Sequence, residues 1–333
     1  MTVDCLRDDV EFVKQAPVKH PVRSSIQHWQ LRDLVACPSN SREFVYVNQN
    51  NVMTYNTQTK QSNPAFKDLS FSPSSITSGC GYLAAGGQRS QLIVRQLNNN
   101  WFAQTAVGGS INNALSISRH LGDVRLLVCN NDETIKVFSL PTLEKIGNIT
   151  LPTAVNYAAV SPDGRKLVAV GDSNQAFLYE MANNTYNKVA MLTTSNDAGF
   201  SCAWNHASDK FAVASQDGFV SVWDIRSSEK LCQVGSKQHP QVKGACRSVK
   251  FSPTGSIDLL VYSEHVSYFS LLDARTFNER QTVRVVPPGV DAHITGLTFA
   301  PDSRTVFVGL ESAVLEYNVD TLSRRSFGAG SFL

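Results

Sequence analysis

Phe211-Ala212-Val213-Ala214-Ser215, then Gln216-Asp217-Gly218, then Phe219-Val220-Ser221-Val222-Trp223-Asp224, is the stretch on which the fold turns. Two short apolar runs rich in β-branched and aromatic residues flank an Asp-Gly pair, which predicts two strands joined by a tight turn. The preceding unit repeats the pattern with Lys166-Leu167-Val168-Ala169-Val170, Asp172-Ser173-Asn174 and Gln175-Ala176-Phe177-Leu178-Tyr179. Each unit ends its last such strand in a large residue followed by a polar one. Alignment on that feature gives Tyr55-Asn56, Arg95-Gln96, Phe138-Ser139, Tyr179-Glu180, Trp223-Asp224, Leu272-Asp273 and Tyr317-Asn318, spaced by 40, 43, 41, 44, 49 and 45 residues. A period of this length marks a repeat architecture in which each unit is one supersecondary element.

A second marker keeps phase with the first: Ala36-Cys37-Pro38, Phe71-Ser72-Pro73, Val160-Ser161-Pro162-Asp163-Gly164, Phe251-Ser252-Pro253-Thr254-Gly255 and Phe299-Ala300-Pro301-Asp302-Ser303. In the third and fifth units Ser118-Arg119 and Trp204-Asn205 take its place. Proline presets φ for a turn, and Asp-Gly supplies residues that turns tolerate, so each marker is expected to end one strand and start the next. Seven units of three or four strands, one ending in Trp-Asp, resemble the WD40 repeat family from roughly Leu31 to the C-terminus. The resemblance implies an all-β fold: a seven-bladed WD40-type β-propeller with four-stranded antiparallel blades. The Gly-His dipeptide of the family is missing from most units, and only one carries a literal Trp-Asp.

The 333 residues would ordinarily predict two or three domains, but the repeat makes them one. The expected organisation is an N-terminal arm over residues 1–21, a single propeller over 22–327 and a flexible apolar tail over 328–333. Charged residues are only 17% of the chain, the net charge is +2, and no run of five like charges occurs. That pattern argues against nucleic-acid and membrane-surface partners and leaves proteins or peptides as the expected ligands. The opening residues are charged, with no apolar core of a signal peptide, and no apolar stretch reaches ~18 residues. Seven cysteines are scattered without a CxxC pair, as expected of a reduced protein in the cytoplasm, with the nucleus also open. The sequons Asn148-Ile149-Thr150 and Asn183-Asn184-Thr185 are discounted on the same ground. Nucleophile, phosphate and zinc signatures are missing, and the histidines lie in different units without ligand spacing. No catalytic residue, metal or cofactor is therefore expected.

A closed ring needs its last blade completed. Val22-Arg23-Ser24-Ser25-Ile26-Gln27-His28-Trp29 and Arg324-Arg325-Ser326-Phe327-Gly328 compete for that outer strand. The N-terminal segment is preferred, which leaves the C-terminal residues as a tail. In the sixth unit, Ser256-Ile257-Asp258-Leu259-Leu260-Val261-Tyr262-Ser263-Glu264-His265, then Leu272-Asp273-Ala274-Arg275-Thr276-Phe277-Asn278 and Arg280-Gln281, resembles the Asp-Leu-Leu segment of a mainly fungal WD-repeat family. A member of that family serves as a substrate receptor of the GID/CTLH ubiquitin ligase. The resemblance implies recognition of protein N-termini, and partner docking through the C-terminal Ser331, Phe332 and Leu333.

Six residues before each unit's terminal large residue stand Gln49, Arg89, Asp132, Ser173, Asp217, Val266 and Glu311, with Asp172 and Glu264 adjoining. These positions are expected in the turns between second and third strands, on one rim of the ring. Five carboxylates there (Asp132, Asp172, Asp217, Glu264, Glu311) would attract a cationic group such as an α-amine, or would only stabilise turns by bonding backbone N–H groups. Loops entering the first strands are expected to add Lys67, Asn113, Asn156, Phe200, Arg247 and His293 to the same face. The longest such loop, residues 235–247, holds Lys237, His239 and Lys243 and is a separate candidate contact.

Overall fold

A computed structural model describes residues 6–14, 16–30, 32–120, 122–182, 185–227, 229–236 and 244–322. The expected Ser331–Leu333 docking tail, the rival closing segment 324–328, and Lys237, His239 and Lys243 lie outside these residues. Short apolar runs separated by turn residues fold into seven four-stranded antiparallel sheets. The first strand of each blade is innermost and packs against the first strand of the next, around the circle from Val35–Ala36 to Ile294–Phe299 and back. The only helical residues among those described are 321–322. All seven large-polar pairs fall in third strands, for example Trp223-Asp224 at the end of Phe219–Asp224.

Blades are held together by side chains wedged between neighbouring sheets. Within blade five, Phe211 stacks on Trp223 at 5.2 Å and Trp204 lies against Phe211 at 5.4 Å, and these rings share one core with blade four residues such as Leu167 and Tyr179. The Trp204 indole N–H donates to the Ala159 carbonyl of the preceding blade at 2.9 Å, so this large ring is buried without stranding its polar atom.

The ring closes through Val18–His20, which pairs with Val314–Asn318 in the register Val18 to Glu316 and His20 to Val314. The closing strand thus comes from the N-terminal side, but it ends before the expected Val22–Trp29 segment begins. The reason is Pro21, which has no N–H to continue the ladder. His20 locks the register. It is buried, bonds Glu316 at 2.8 Å and packs on Phe44 and Tyr55.

One marker is misplaced. Phe71-Ser72-Pro73 enters the first strand of blade two, Pro73–Gly79, rather than leaving it. The turn out of that strand is Gly79-Cys80-Gly81, where Cys80 and Gly81 both adopt positive φ (51° and 83°), as a tight hairpin requires.

Candidate functional site at the mouth of the central channel

Six of the seven inner strands carry a register shift near their first residues, between 73/75, 112/114, 155/157, 199/201, 246/249 and 294/296. A bulge re-aims the extra side chain, here at the channel entrance. The re-aimed residues include Ser74, Asn113, Asn156, Phe200, Arg247 and Thr295. Four of these are residues expected from the sequence. Lys67 and His293 are not at equivalent positions: Lys67 is exposed beside Asp68, and His293 stacks on His265 at 5.2 Å outside the strand. Ser74 and Thr295 occupy their places, and the misplaced Phe71-Ser72-Pro73 marker hid the first of them.

These residues first of all clamp blade to blade. The Asn113 amide donates to the Val155 carbonyl at 2.9 Å, and the Asn156 amide donates to the Gly199 carbonyl at 3.0 Å. Ser74 donates to the Asn112 carbonyl at 3.1 Å. Deeper in the channel, Lys250 donates to the Tyr157 hydroxyl at 2.6 Å and to Asp33 at 3.3 Å, while Tyr157 donates to Asp33 at 3.1 Å. Burial opposes a charge on Lys250, but Asp33 outweighs it and holds the ammonium protonated.

The expected acidic positions all sit in turns between second and third strands or directly beside them, but four of the five carboxylates are engaged within the fold. Asp132 accepts from Lys136 at 2.7 Å and from the Thr134 amide at 3.2 Å. Burial works against its charge, yet the Lys136 and Thr134 bonds prevail and keep the carboxyl below the usual range. Asp172 accepts from Asn156 at 2.8 Å. Asp217 accepts from Ser215 at 2.6 Å and the Asn196 amide at 2.9 Å. Glu264, only 1% exposed, accepts from Ser236 and Ser270 at 2.7 and 2.5 Å. Asp172 and Glu311 are both solvent-exposed, but Glu311 has no side-chain bond among those described, and its carbonyl takes the Ser24 N–H. Backbone N–H groups are bonded by Asp132 and Asp217, while Asp172 and Glu264 are held by side chains of other strands and segments, so the five do not stand together as free carboxylates.

What lies over the mouth is the chain itself. Residues 21–30 and 32–34, the described part of the connection from the closing strand to blade one, cross the top face and touch one blade after another. Ser25 N–H donates to the Val47 carbonyl at 3.0 Å, and Ser25 Oγ accepts from Gln49 N–H at 2.9 Å. Gln88 reaches the Gln27 carbonyl, and Gln30 donates to Gln216 at 3.1 Å. Arg247 donates to the Gln30 carbonyl at 2.7 Å, and Arg32 to the carbonyls of His28 and Trp29. Trp29 caps this segment, 71% exposed. No motif announced the cap; the surplus length between His20 and Val35 was the only available signal.

The centre under the cap is basic. Burial, then Arg247, lower the Arg32 guanidinium to about 10, with Glu311 offsetting. Burial lowers Arg247 as well. Burial and then Arg247 hold His265 near 4, and burial followed by Arg32 lowers His28.

A second N-terminal segment straps the outside of blades six and seven. Phe12 and Val13 are buried, and the Gln281 amide accepts both of their N–H groups at 2.7 and 2.8 Å while donating to the Val13 carbonyl at 2.9 Å. Arg280 bonds Asp8 at 2.9 Å and the Gly235 carbonyl at 2.8 Å. Arg280 and Gln281 belong to the segment singled out in the sixth unit. The rest of it is structural too: Leu259 and Leu260 are fully buried, and Asp258 pairs with Arg275 at 3.2 Å.

A seven-bladed ring with bulged inner strands and turn-rich rims defines a WD-repeat propeller, the class of fold that generally serves to bind other proteins. A model of the WD domain, G-beta repeat, matches residues 189–224, and one of an uncharacterised protein domain (DUF2415) matches residues 244–284. The chain is 32% identical to Uncharacterized protein C4G3.03 of Schizosaccharomyces pombe over 98% of both chains, and it belongs to that protein's family. It is 24% identical to Uncharacterized protein YLR149C of Saccharomyces cerevisiae over 56% of this chain, which spans only 30% of that longer protein. It is also 22% identical to eukaryotic translation initiation factor 3 subunit I of Emericella nidulans, over 79% of this chain and 74% of that one. Among solved structures, a chain of the mitotic checkpoint complex superposes with a TM-score of 0.75 at 15% identity, covering 94% of each, a likeness of fold.

Proposed function

We propose that this protein is a non-catalytic propeller that binds a short protein segment at the mouth of its channel, on the face that residues 21–30 cross. The observation that carries this reading is the convergence there of bulge-directed side chains from several blades beside an exposed Trp29. Amphipathic aromatics at a convergent site are the usual anchors of a peptide or protein partner. The biological setting we infer is that of a substrate receptor of a GID/CTLH-type ubiquitin ligase in the cytoplasm. The supporting observation is the resemblance of residues 256–281 to the Asp-Leu-Leu segment, in the region matched by the uncharacterised domain. Within that setting Ser331, Phe332 and Leu333 are the proposed contact with the ligase, and the top face takes the substrate's terminus.

A second reading, a scaffold subunit of a stable complex, is favoured by one feature away from the mouth. A groove of about 650 Å³ opens between blades one and two, lined by Lys67, Arg95, Trp101 and Phe102, with Phe102 67% exposed. Affinity purification with mass spectrometry separates the two readings. A top-face receptor loses its substrates when Trp29 is changed to Ala, and its ligase when residues 331–333 are removed. A scaffold loses its complex only when Phe102 is changed. Retention of every partner by the Trp29 variant would overturn the top-face reading.

A further inference from the structure

Under the cap lies a cavity of about 10 Å³, the size of one water molecule, lined among others by Arg32, Asn113, Phe200, Arg247 and Ser248. Three polar atoms of its lining have no hydrogen-bond partner among the described residues: Arg247 Nε, Ser248 Oγ and Asn113 Oδ1. Ser248 and Asn113 are each only 2% exposed, so water outside the fold does not satisfy them. Buried polar atoms left in this state cost stability, and where they cluster they mark a place meant for something else.

Asn113 Oδ1 is an acceptor and suits a water or an N–H, but the other two atoms are donors, and they define the chemistry of the missing partner. Arg247 offers an N–H, with its guanidinium carbon over the Phe200 ring, 5.4 Å from the ring centre. Ser248 offers a hydroxyl. Arg32 brings a second guanidinium close enough to repel the first. The carboxylates nearby are committed elsewhere: Asp33 to Lys250 and Tyr157, Asp172 to Asn156, and Asp291 to Ser267. Glu311 offsets part of the Arg32 charge. Two like charges crowded beside a hydroxyl suit a carboxylate, which takes paired N–H donors in the geometry that guanidinium presents.

The structure shows what occupies the arginines meanwhile. The carbonyl oxygens of His28 and Trp29 sit on Arg32, and that of Gln30 sits on Arg247. Three consecutive neutral acceptors face two cationic donors. We propose that the channel mouth is a carboxylate site for an acidic peptide segment, closed in this structure by residues 24–30, whose carbonyls stand where the ligand's oxygens go. This rests on the top-face reading above and specifies its ligand. The sequence alone suggested the opposite sign, a cationic ligand on an acidic rim. Four of the five carboxylates of that rim turn out to be committed, while at the mouth Arg247 Nε and Ser248 Oγ have no partner among the described residues.

A cap that must leave competes with the ligand, so the observed affinity falls by the fraction of time the site is open. If that fraction is about 0.1–10%, loosening the cap tightens binding roughly 10- to 1,000-fold. The test uses the full chain and a variant in which residues 26–30 are replaced by Gly-Ser-Gly-Ser-Gly, with thermal melting to establish that both are folded. Each is titrated with fluorescein-labelled hexaglutamate, hexalysine and hexaglutamine, each with a free and an amidated C-terminus. Inorganic phosphate serves as a competitor.

The expected result is binding of hexaglutamate, tightened in the loosened variant and lost on Arg247→Gln in either background. Arg42→Gln, on the opposite face, leaves binding unchanged. Equal binding of the amidated form identifies side-chain carboxylates as the source; binding of every free C-terminus identifies the terminal carboxylate. Preference for hexalysine, or hexaglutamate binding indifferent to Arg247→Gln, overturns the carboxylate site and leaves the top-face reading standing. If no probe binds either protein and partners are still captured through Phe102, both fail together.

Discussion

The N-terminal part of the chain touches the propeller twice, and the two contacts are built differently. Along blades six and seven, residues 6–14 form a strap in which Gln281 answers three backbone groups at once and Arg280 is paired with Asp8. Across the mouth, residues 24–30 rest on two arginines that repel one another, above Arg247 Nε, Ser248 Oγ and Asn113 Oδ1 with no partner among the described residues. The strap buries Phe12 and Val13 completely, whereas the cap turns Trp29 outward. Apolar burial with its polar groups satisfied makes a permanent joint. A polar contact over a frustrated site makes one that a competing ligand can replace.

Substitutions should therefore act unequally on the two. Phe12→Ala is expected to cost the most, about 3 kcal/mol, because it empties a fully buried ring site. Denaturant unfolding measures it, and a loss as small as that from a surface change would mean that the strap is not a joint. Gln281→Ala comes next, at roughly 2 kcal/mol, since it leaves the Phe12 and Val13 N–H groups and one carbonyl without a partner. Limited proteolysis should then cut within residues 6–14. At the mouth, Arg247→Gln should change stability by no more than about 0.5 kcal/mol, since it removes a repulsion along with a hydrogen bond. A large loss in the ligand-free protein would make the mouth as structural as the strap.

A further effect is one of pH. Burial, then Arg247, lower His265 to about 4, and burial followed by Arg125 lowers His120, inside blade three, to about 4. Between that value and the unfolded 6.5, the unfolded chain binds protons that the folded one refuses, so stability falls as pH drops through that window and is level above it. His120→Gln and Arg247→Gln should each flatten the slope, the second by easing His265. Chemical unfolding at pH 4.5, 5.5 and 7.0 reads this directly, and an unchanged slope in both variants would contradict the assigned causes.

Much of the architecture was legible because repeat phase is a sequence property. The pair ending in Trp223-Asp224 and its six counterparts locate every third strand, and counting back from them reaches every turn on the rim. Asn113, Asn156, Phe200 and Arg247, expected in the loops entering the first strands, stand one residue inside those strands, at the bulges. Lys67 and His293 do lie in loops that enter first strands, but outside those strands, so neither is a bulge residue; in blade two Phe71-Ser72-Pro73 stands on the other side of the inner strand and Ser74 takes that place. The closing strand was sought too late in the chain, where Val22, Ile26 and Trp29 look strand-like, although Pro21 forbids continuing the ladder past His20. The sign of the mouth was beyond the sequence altogether. An aspartate in a turn is the same letter whether its oxygens face solvent or are held by Thr134 and Lys136, and only the fold shows that a connecting segment lies across the channel.

Hydrogen exchange on the intact chain, read by mass spectrometry with and without amidated hexaglutamate, bears most directly on the claim that the cap opens for a carboxylate ligand. The amides of Ser24, Ser25 and Gln30 should exchange faster than those of Arg7, Phe12 and Val13, and faster still when the peptide is added, with the strap unaffected. Equal protection of cap and strap, or a cap indifferent to the peptide, would contradict it.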